Sequence, residues 1–330
     1  MNHRRVLVPL ALLAIAAGAV AAPSVAAHRA SHATGVVDID TTLGYEGGSA
    51  AGTGMLLTSS GDVLTNNHVI RGATAIHVVI PSTGRSYAAA VVGYSVGNDV
   101  AVLKLKASGL KTVATGNSST VKVGQSVTAV GNAGGVGGTP SSARGRVTAV
   151  GRTITASDEG IAEQLTGLIR TNAALQPGDS GGPLLNATGR VIGMDTAASV
   201  SFSFAGSSGD GYAIPINKAL KLAKQITAGR SSSTVHIGST PFLGLSVPAQ
   251  SDVSRGLEVS DVVGGGPADQ AGIVPGDVIT TVNGKDVKSF GQLTNALLRY
   301  SAGATVSIGI VDPTGAASTI SVHTTAGPPQ

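Results

Sequence analysis

From Val36 to about Ala213, short apolar runs alternate with clusters of Gly, Asn and Ser. The runs at 54–57, 75–80, 100–105, 127–130 and 190–194 are rich in β-branched residues. Runs this short, bounded by turn residues, predict strands, and their recurrence predicts an all-β barrel or sandwich. Helical spacing then takes over. Ile216, Leu220 and Ala223 fall on one face behind Asn217, which predicts a helix over 216–226 with Asn217 as N-cap. Residues 227–240, centred on Ser231-Ser232-Ser233, have the small polar composition of a linker. A second unit follows, over 241–325. Its runs at 256–259, 277–282 and 305–310 read as strands, and Asn283-Gly284 is a hairpin-turn signal. Ser289 and Gln292 form a capping box, opening a helix with Phe290, Leu293, Leu297 and Tyr300 on one face.

Length fits this division, because 330 residues suit about two domains with cores of their own. Glycine, at 47 residues, has no Gly-X-Y period, so it marks turns rather than collagen. Cysteine is absent, which removes disulfides, thiolate zinc sites and a cysteine nucleophile together. Arg4 and Arg5 belong to an N-terminal leader; without them 20 basic residues face 18 acidic ones, from 22 and 18 in the whole chain. With no basic block and 3% aromatics, nucleic acid is not an expected partner.

The leader has a basic start, an apolar run over 6–22 and small residues at 19–21 and 25–27. That order reads as a secretory signal over 1–27. The run is slightly short of the ~20 residues of a membrane span, so cleavage is favoured over an anchor. The expected location is secreted or extracytoplasmic, with membrane attachment only if the leader is retained.

Three polar residues stand in unusual settings. His68 ends Thr65-Asn66-Asn67-His68, Asp99 opens Asp99-Val100-Ala101-Val102-Leu103, and Ser180 lies within Gly178-Asp179-Ser180-Gly181-Gly182-Pro183. Each alone is ordinary turn or strand-end chemistry. Together they supply a nucleophile, a base and an orienting acid. A serine hydroxyl needs a base to accept its proton, and imidazole titrates in the right range. A carboxylate on the second ring nitrogen fixes the tautomer. Serine between glycines can turn tightly enough to aim backbone amides at a developing oxyanion. Gly131–138 lacks the Lys-Ser/Thr of a phosphate loop and reads as a flexible loop. His28 and His32 have no carboxylate beside them, so no metal or cofactor is expected. His77 alternates with Ile76 and Val78 and reads as structural or surface.

In order, TNNHV, NDVAVL and GDSGGPL resemble the trypsin-fold serine proteases, and more narrowly the HtrA (Deg) family. Gly52-Thr53-Gly54, Gly131-Asn132 and residues 211–216 extend the likeness over about 36–325. It implies a mainly β chain: a two-barrel protease domain over 28–226, a linker over 227–240 and an α+β PDZ domain over 241–330. It makes Ser180 the nucleophile, His68 the general base and acid, and Asp99 its orienter, with Gly178 and Ser180 supplying oxyanion-hole amides. Phe242-Leu243-Gly244-Leu245 resembles the PDZ loop that takes a peptide's C-terminal carboxylate. Leu293 and Leu297 belong either to that groove or to the core. The implied activity is hydrolysis of unfolded or damaged exported polypeptides with exposed C-termini. The competing reading is a non-hydrolytic chaperone or scaffold on the same fold. HtrA trimers use an aromatic N-terminal segment, whereas only Tyr45 is aromatic between His28 and Gly54, so a homo-oligomer is left for a solution mass to decide. Two positions depart from the family: Asp179 and Asp195 stand where asparagine is usual. If Asp195 faces the specificity pocket, basic P1 residues are favoured; if it faces away, small aliphatic ones are.

Overall fold

The computed structural model describes residues 34–158, 161–196, 202–204, 211–247 and 256–330. The leader lies outside them. Six strands, β1 (Val36–Leu43), β2 (Gly48–Leu56), β3 (Asp62–Thr65), β4 (Ala75–Ile80), β5 (Arg85–Ser95) and β6 (Val100–Leu105), pair in the order β5-β4-β1-β2-β3-β6. β5 also pairs with β6, which closes the sheet into a barrel. A one-turn helix, α1 (Asn67–Ile70), follows β3.

The second barrel uses β7 (Ser126–Gly131), β8 (Ser141–Asp158), β9 (Ile161–Thr171), β10 (Pro183–Asn186), β11 (Val191–Thr196) and, after β12 (Phe202–Phe204), β13 (Gly211–Pro215). Their order is β8-β7-β10-β11-β13-β9, closed by β8 on β9, with β12 added at the edge of β8. The unbroken apolar run at 100–103 arises because both faces of the strand are covered. From β6, Ala101, Leu103 and Leu105 fill the first barrel. Val100 and Val102 point the other way, into a cluster with Leu168, Met194 and Ile214 of the second barrel. That shared cluster makes the seam between the barrels.

Ile216, Ala219, Ala223 and Ile226 of α2 (Ile216–Thr227) pack onto the same cluster. The N-cap is Pro215 rather than Asn217. β13 runs straight to a proline whose φ of −53° already suits helix entry. Asn217 instead sits in the first turn and bonds Ser118 N at 3.2 Å and Asn117 Oδ1 at 2.7 Å. Within the stretch read as a linker, β14 (His236–Ile237) adds to β5, so this segment is stitched to the first barrel.

The last unit begins with β15 (Thr240–Phe242). β16 (Leu245–Ser246) then pairs with β18 (Asp261–Val262), and β17 (Leu257–Glu258) starts the main sheet. After α3 (Pro267–Gln270), that sheet continues through β19 (Val278–Val282), with β20 (Lys285–Asp286) as its hairpin partner. The hairpin turn has φ of 47° at Asn283 and 72° at Gly284, as a two-residue type I′ turn demands. Ser289 caps α4 (Phe290–Leu297) by accepting Gln292 N at 3.2 Å, while Gln292 Oε1 takes Lys288 N at 2.8 Å. β21 (Thr305–Val311) and β22 (Ala317–His323) complete the sheet, and β23 (Thr325–Gly327) pairs with β15.

Contacts between this unit and the first barrel cluster around α1. Pro329 O accepts Gly72 N at 2.9 Å and Gln330 O accepts Asn67 Nδ2 at 2.8 Å. The Tyr94 and Thr240 hydroxyls meet at 2.7 Å, and the Tyr45 ring stacks on Phe242 with centroids 5.0 Å apart.

Candidate active site

The pairing of β3 with β6 sets Thr65 opposite Ala101. His68, just after β3, therefore lies beside Asp99, just before β6. His68 Nδ1 is 2.9 Å from Asp99 Oδ2 and 3.0 Å from Oδ1, and the His68 amide donates to Oδ1 at 3.0 Å. Asp99 is 1% exposed and adopts a left-handed conformation, φ 52°. An aspartate tolerates that region better than most residues, at a cost of about 1–2 kcal/mol. Asn66 Nδ2 holds its carbonyl at 2.9 Å, and Thr196 Oγ1 donates to Oδ2 at 3.2 Å. Three donors thus hold this carboxylate, and a fourth holds the backbone carbonyl of the same residue.

Ser180 stands on the loop leading into β10, at the seam. Its carbonyl accepts Thr53 N at 2.8 Å, from β2 of the opposite barrel. Thr53 Oγ1 donates to Gly178 O at 2.6 Å and accepts Asn132 N at 2.9 Å, while Thr53 O takes the Thr65 hydroxyl at 2.7 Å. Gly181 N donates to Asp195 O, and Asp195 N to Gly182 O, both at 2.8 Å. The loop is thus fastened on one side to residues next to His68 and on the other to the residue preceding Thr196. The Asp179 amide is taken by Gln176 O, but among the described residues no carbonyl takes the Gly178 amide. Gly178 has φ 97°, and a side chain there would overlap the Asn132 carbonyl.

The glycine stretch after β7, expected to be a flexible loop, is a buttress. Gly134 N donates to Pro177 O at 2.7 Å, Gly137 N to Asn132 Oδ1 at 2.7 Å, and Gly138 N to Asp38 Oδ2 at 3.1 Å. Gly134, Gly135, Gly137 and Gly138 all have positive φ, so glycine serves the left-handed turns that aim these amides. Burial pushes the Asp38 carboxyl up to about 6, against the opposing pull of that Gly138 bond.

Behind the loop lie two further acids. Asp195 is 0% exposed, and among the described residues neither of its carboxyl oxygens has a hydrogen-bond partner. Burial, and then the neighbouring Asp179, push its pKa well above the usual carboxylate value. Asp179 Oδ2 accepts Gln176 N at 2.9 Å and its Oδ1 is unpartnered; burial raises this group to about 6. His77 is exposed on β4.

The second site expected from the sequence is a groove. Phe242, Leu243, Gly244 and Leu245 form one lip, and Phe290, Leu293, Thr294 and Leu297 of α4 form the other, with Gln330 alongside. Leu293 and Leu297 serve both ends of the earlier alternative. They are 3% and 8% exposed within the core cluster and line the groove as well. Gly244 has φ 74°, which turns the loop between Leu243 and Leu245.

Thr53, Thr65, Asn66 and Thr196 were not singled out as functional from the sequence. Thr53 had a visible signal, the Gly52-Thr53-Gly54 pattern; the others depend on strand register.

Comparison with known proteins agrees with both halves. A trypsin-like peptidase domain model matches residues 52–194, and a PDZ domain model matches 232–311. Serine protease PepD of Mycobacterium tuberculosis is 33% identical over 303 residues, 87% of this chain and 63% of that protein. The periplasmic pH-dependent serine endoprotease DegQ of Escherichia coli is 36% identical over 269 residues, 79% of this chain and 56% of that protein. The chain therefore spans less than two thirds of these curated relatives. Among solved structures, the HtrA-type protease AlgW with tripeptide is 30% identical, with 91% of this chain and 96% of that chain covered and a TM-score of 0.52. By this agreement the chain belongs to the HtrA family, with a trypsin-like barrel pair followed by a PDZ domain.

Proposed function

We propose that the protein is an extracytoplasmic serine endopeptidase that hydrolyses unfolded or damaged exported polypeptides. The observation that carries the reading is the Asp99 carboxylate, held by Thr196 and the His68 backbone amide while it takes His68 Nδ1, with Asn66 fixing the Asp99 backbone carbonyl. An Nδ1–H donated to Asp99 leaves Nε2 as the basic nitrogen. Ser180 Oγ attacks the scissile carbonyl and passes its proton to Nε2. The oxyanion is met by the Gly178 and Ser180 amides, each such donor being worth about 3–4 kcal/mol. His68 then gives the proton to the leaving amine. Water, deprotonated by the same nitrogen, releases the acyl group from Ser180.

The PDZ groove supports capture of substrates by exposed apolar C-termini: a peptide strand adds along the 242–245 loop and its side chains meet α4. The protease unit over 28–226 and the PDZ unit over 241–330 then act on one polypeptide. The direct test is Ser180→Ala. Cleavage of unfolded casein should fall by about six orders of magnitude, the loss seen when a triad acts as a unit. Undiminished cleavage would refute the assignment, and intact binding of casein by a natively inert chain would favour the chaperone reading.

A further inference from the structure

Two carboxyl groups behind the nucleophile have no part in the mechanism just described. Among the described residues no donor reaches either carboxyl oxygen of the buried Asp195, and Asp179, next to Ser180, has one oxygen in the same condition. An ionised carboxylate left so would cost several kcal/mol. The backbone of each acid is part of the Ser180 loop or bonded to it: Asp179 lies within it, and Asp195 holds Gly181 and Gly182. What happens to these acids therefore happens to the loop.

We propose that Asp179 and Asp195 are positioning residues for Ser180, and that their neutral, protonated state keeps the loop in its reactive shape, so that their ionisation sets the alkaline limit of proteolysis. The proposal rests on the Ser180 reading above and deepens it. Among the described residues no cation is found to act on either acid. Asp179 is the titratable group that bears on Asp195. β10 and β7, packed beside the loop, carry no titratable residue. On β13, Ala213 is opposite Asp195, and Tyr212 is opposite the next residue, Thr196. Side chains alternate along β11, so Thr196 and the Asp99–His68 pair that it touches lie on the other face.

The sign follows from linkage. Both acids bind protons more tightly folded than unfolded, since burial raises Asp179 from 3.8 to about 6 and lifts Asp195 well above 3.8. Their contribution to stability is full below the unfolded value and is lost as pH rises through the folded values. Catalysis needs a neutral imidazole, favoured at higher pH, while the loop needs protonated acids, favoured at lower pH. Two opposed requirements give a bell-shaped profile.

The test measures Ser180 acylation by a small ester, and Tm, across pH for the native chain, Asp195→Asn and Asp179→Asn. Asparagine copies the neutral acid. With Asp195→Asn the alkaline limb should move up by about one pH unit or more, so that acylation about one unit past the native limb is roughly tenfold faster. Its Tm should stay level where the native Tm falls, and Asp179→Asn should do the same to a smaller degree. Superimposable limbs and parallel Tm curves in all three proteins would overturn the proposal. Absence of acylation at every pH in every chain would instead remove the Ser180 reading, while the Tm curves would still report whether the acids are held neutral.

Discussion

At the scale of single residues, Thr53 decides more than its ordinary type suggests. Its side chain, 0% exposed, satisfies the Gly178 carbonyl and the Asn132 amide, and its backbone holds Ser180 O and the Thr65 hydroxyl. Thr53→Val keeps the shape and removes the hydroxyl, leaving two buried polar groups unmatched. Stability should drop by about 1–3 kcal/mol in urea unfolding, with slower acylation of Ser180. A variant with native stability and rate would show that the loop holds itself. His68, Asp99 and Ser180 stood out as candidates in the sequence because few residue types can do the work proposed for them, and each sits in a short motif. Thr196 was not. A threonine ending a strand is unremarkable until β11 is registered beside the loop, which brings its hydroxyl to Asp99.

Elements were legible where periodicity or turn chemistry was strong. The runs at 75–80 and 100–105 are β4 and β6 to the residue, and Asn283-Gly284 makes its hairpin. Two-residue and three-residue strands leave no periodic trace. β14 and β23 are invisible in sequence, yet β14 joins the segment before the last unit to β5 of the first barrel, and β23 closes the last unit on its own first strand, β15. The glycine stretch misled for a related reason: glycine permits both mobility and fixed left-handed turns, and only the Pro177 and Asp38 bonds show the turns held. The groove between the 242–245 loop and α4 makes an element-scale prediction. Thr294, half-buried on its helical wall, can be replaced by tyrosine to fill the space. Thr294→Tyr should raise KM about tenfold for substrates ending in apolar residues, a loss of about 1.4 kcal/mol of binding, and leave a small blocked peptide unaffected. Equal effects on both substrates would tell against capture through the groove.

For the whole molecule, the architecture answers a problem of assembly. Asp99 and His68 come from one barrel and Ser180 from the other, so the proposed triad depends on the seam that Val100, Val102, Met194 and Ile214 bury between them. The two-barrel plan and the groove-bearing unit could be expected from the order of motifs. The tightness of the join could not, since it depends on bonds such as Gln330 O to Asn67 Nδ2, between residues remote in sequence. The seam either delivers an activated serine or it does not. Exposure of the full chain to a fluorophosphonate, followed by peptide mapping, measures this directly. The account predicts one adduct, on Ser180, abolished in His68→Ala; no adduct, or an adduct on Ser180 that forms equally fast without His68, would contradict it.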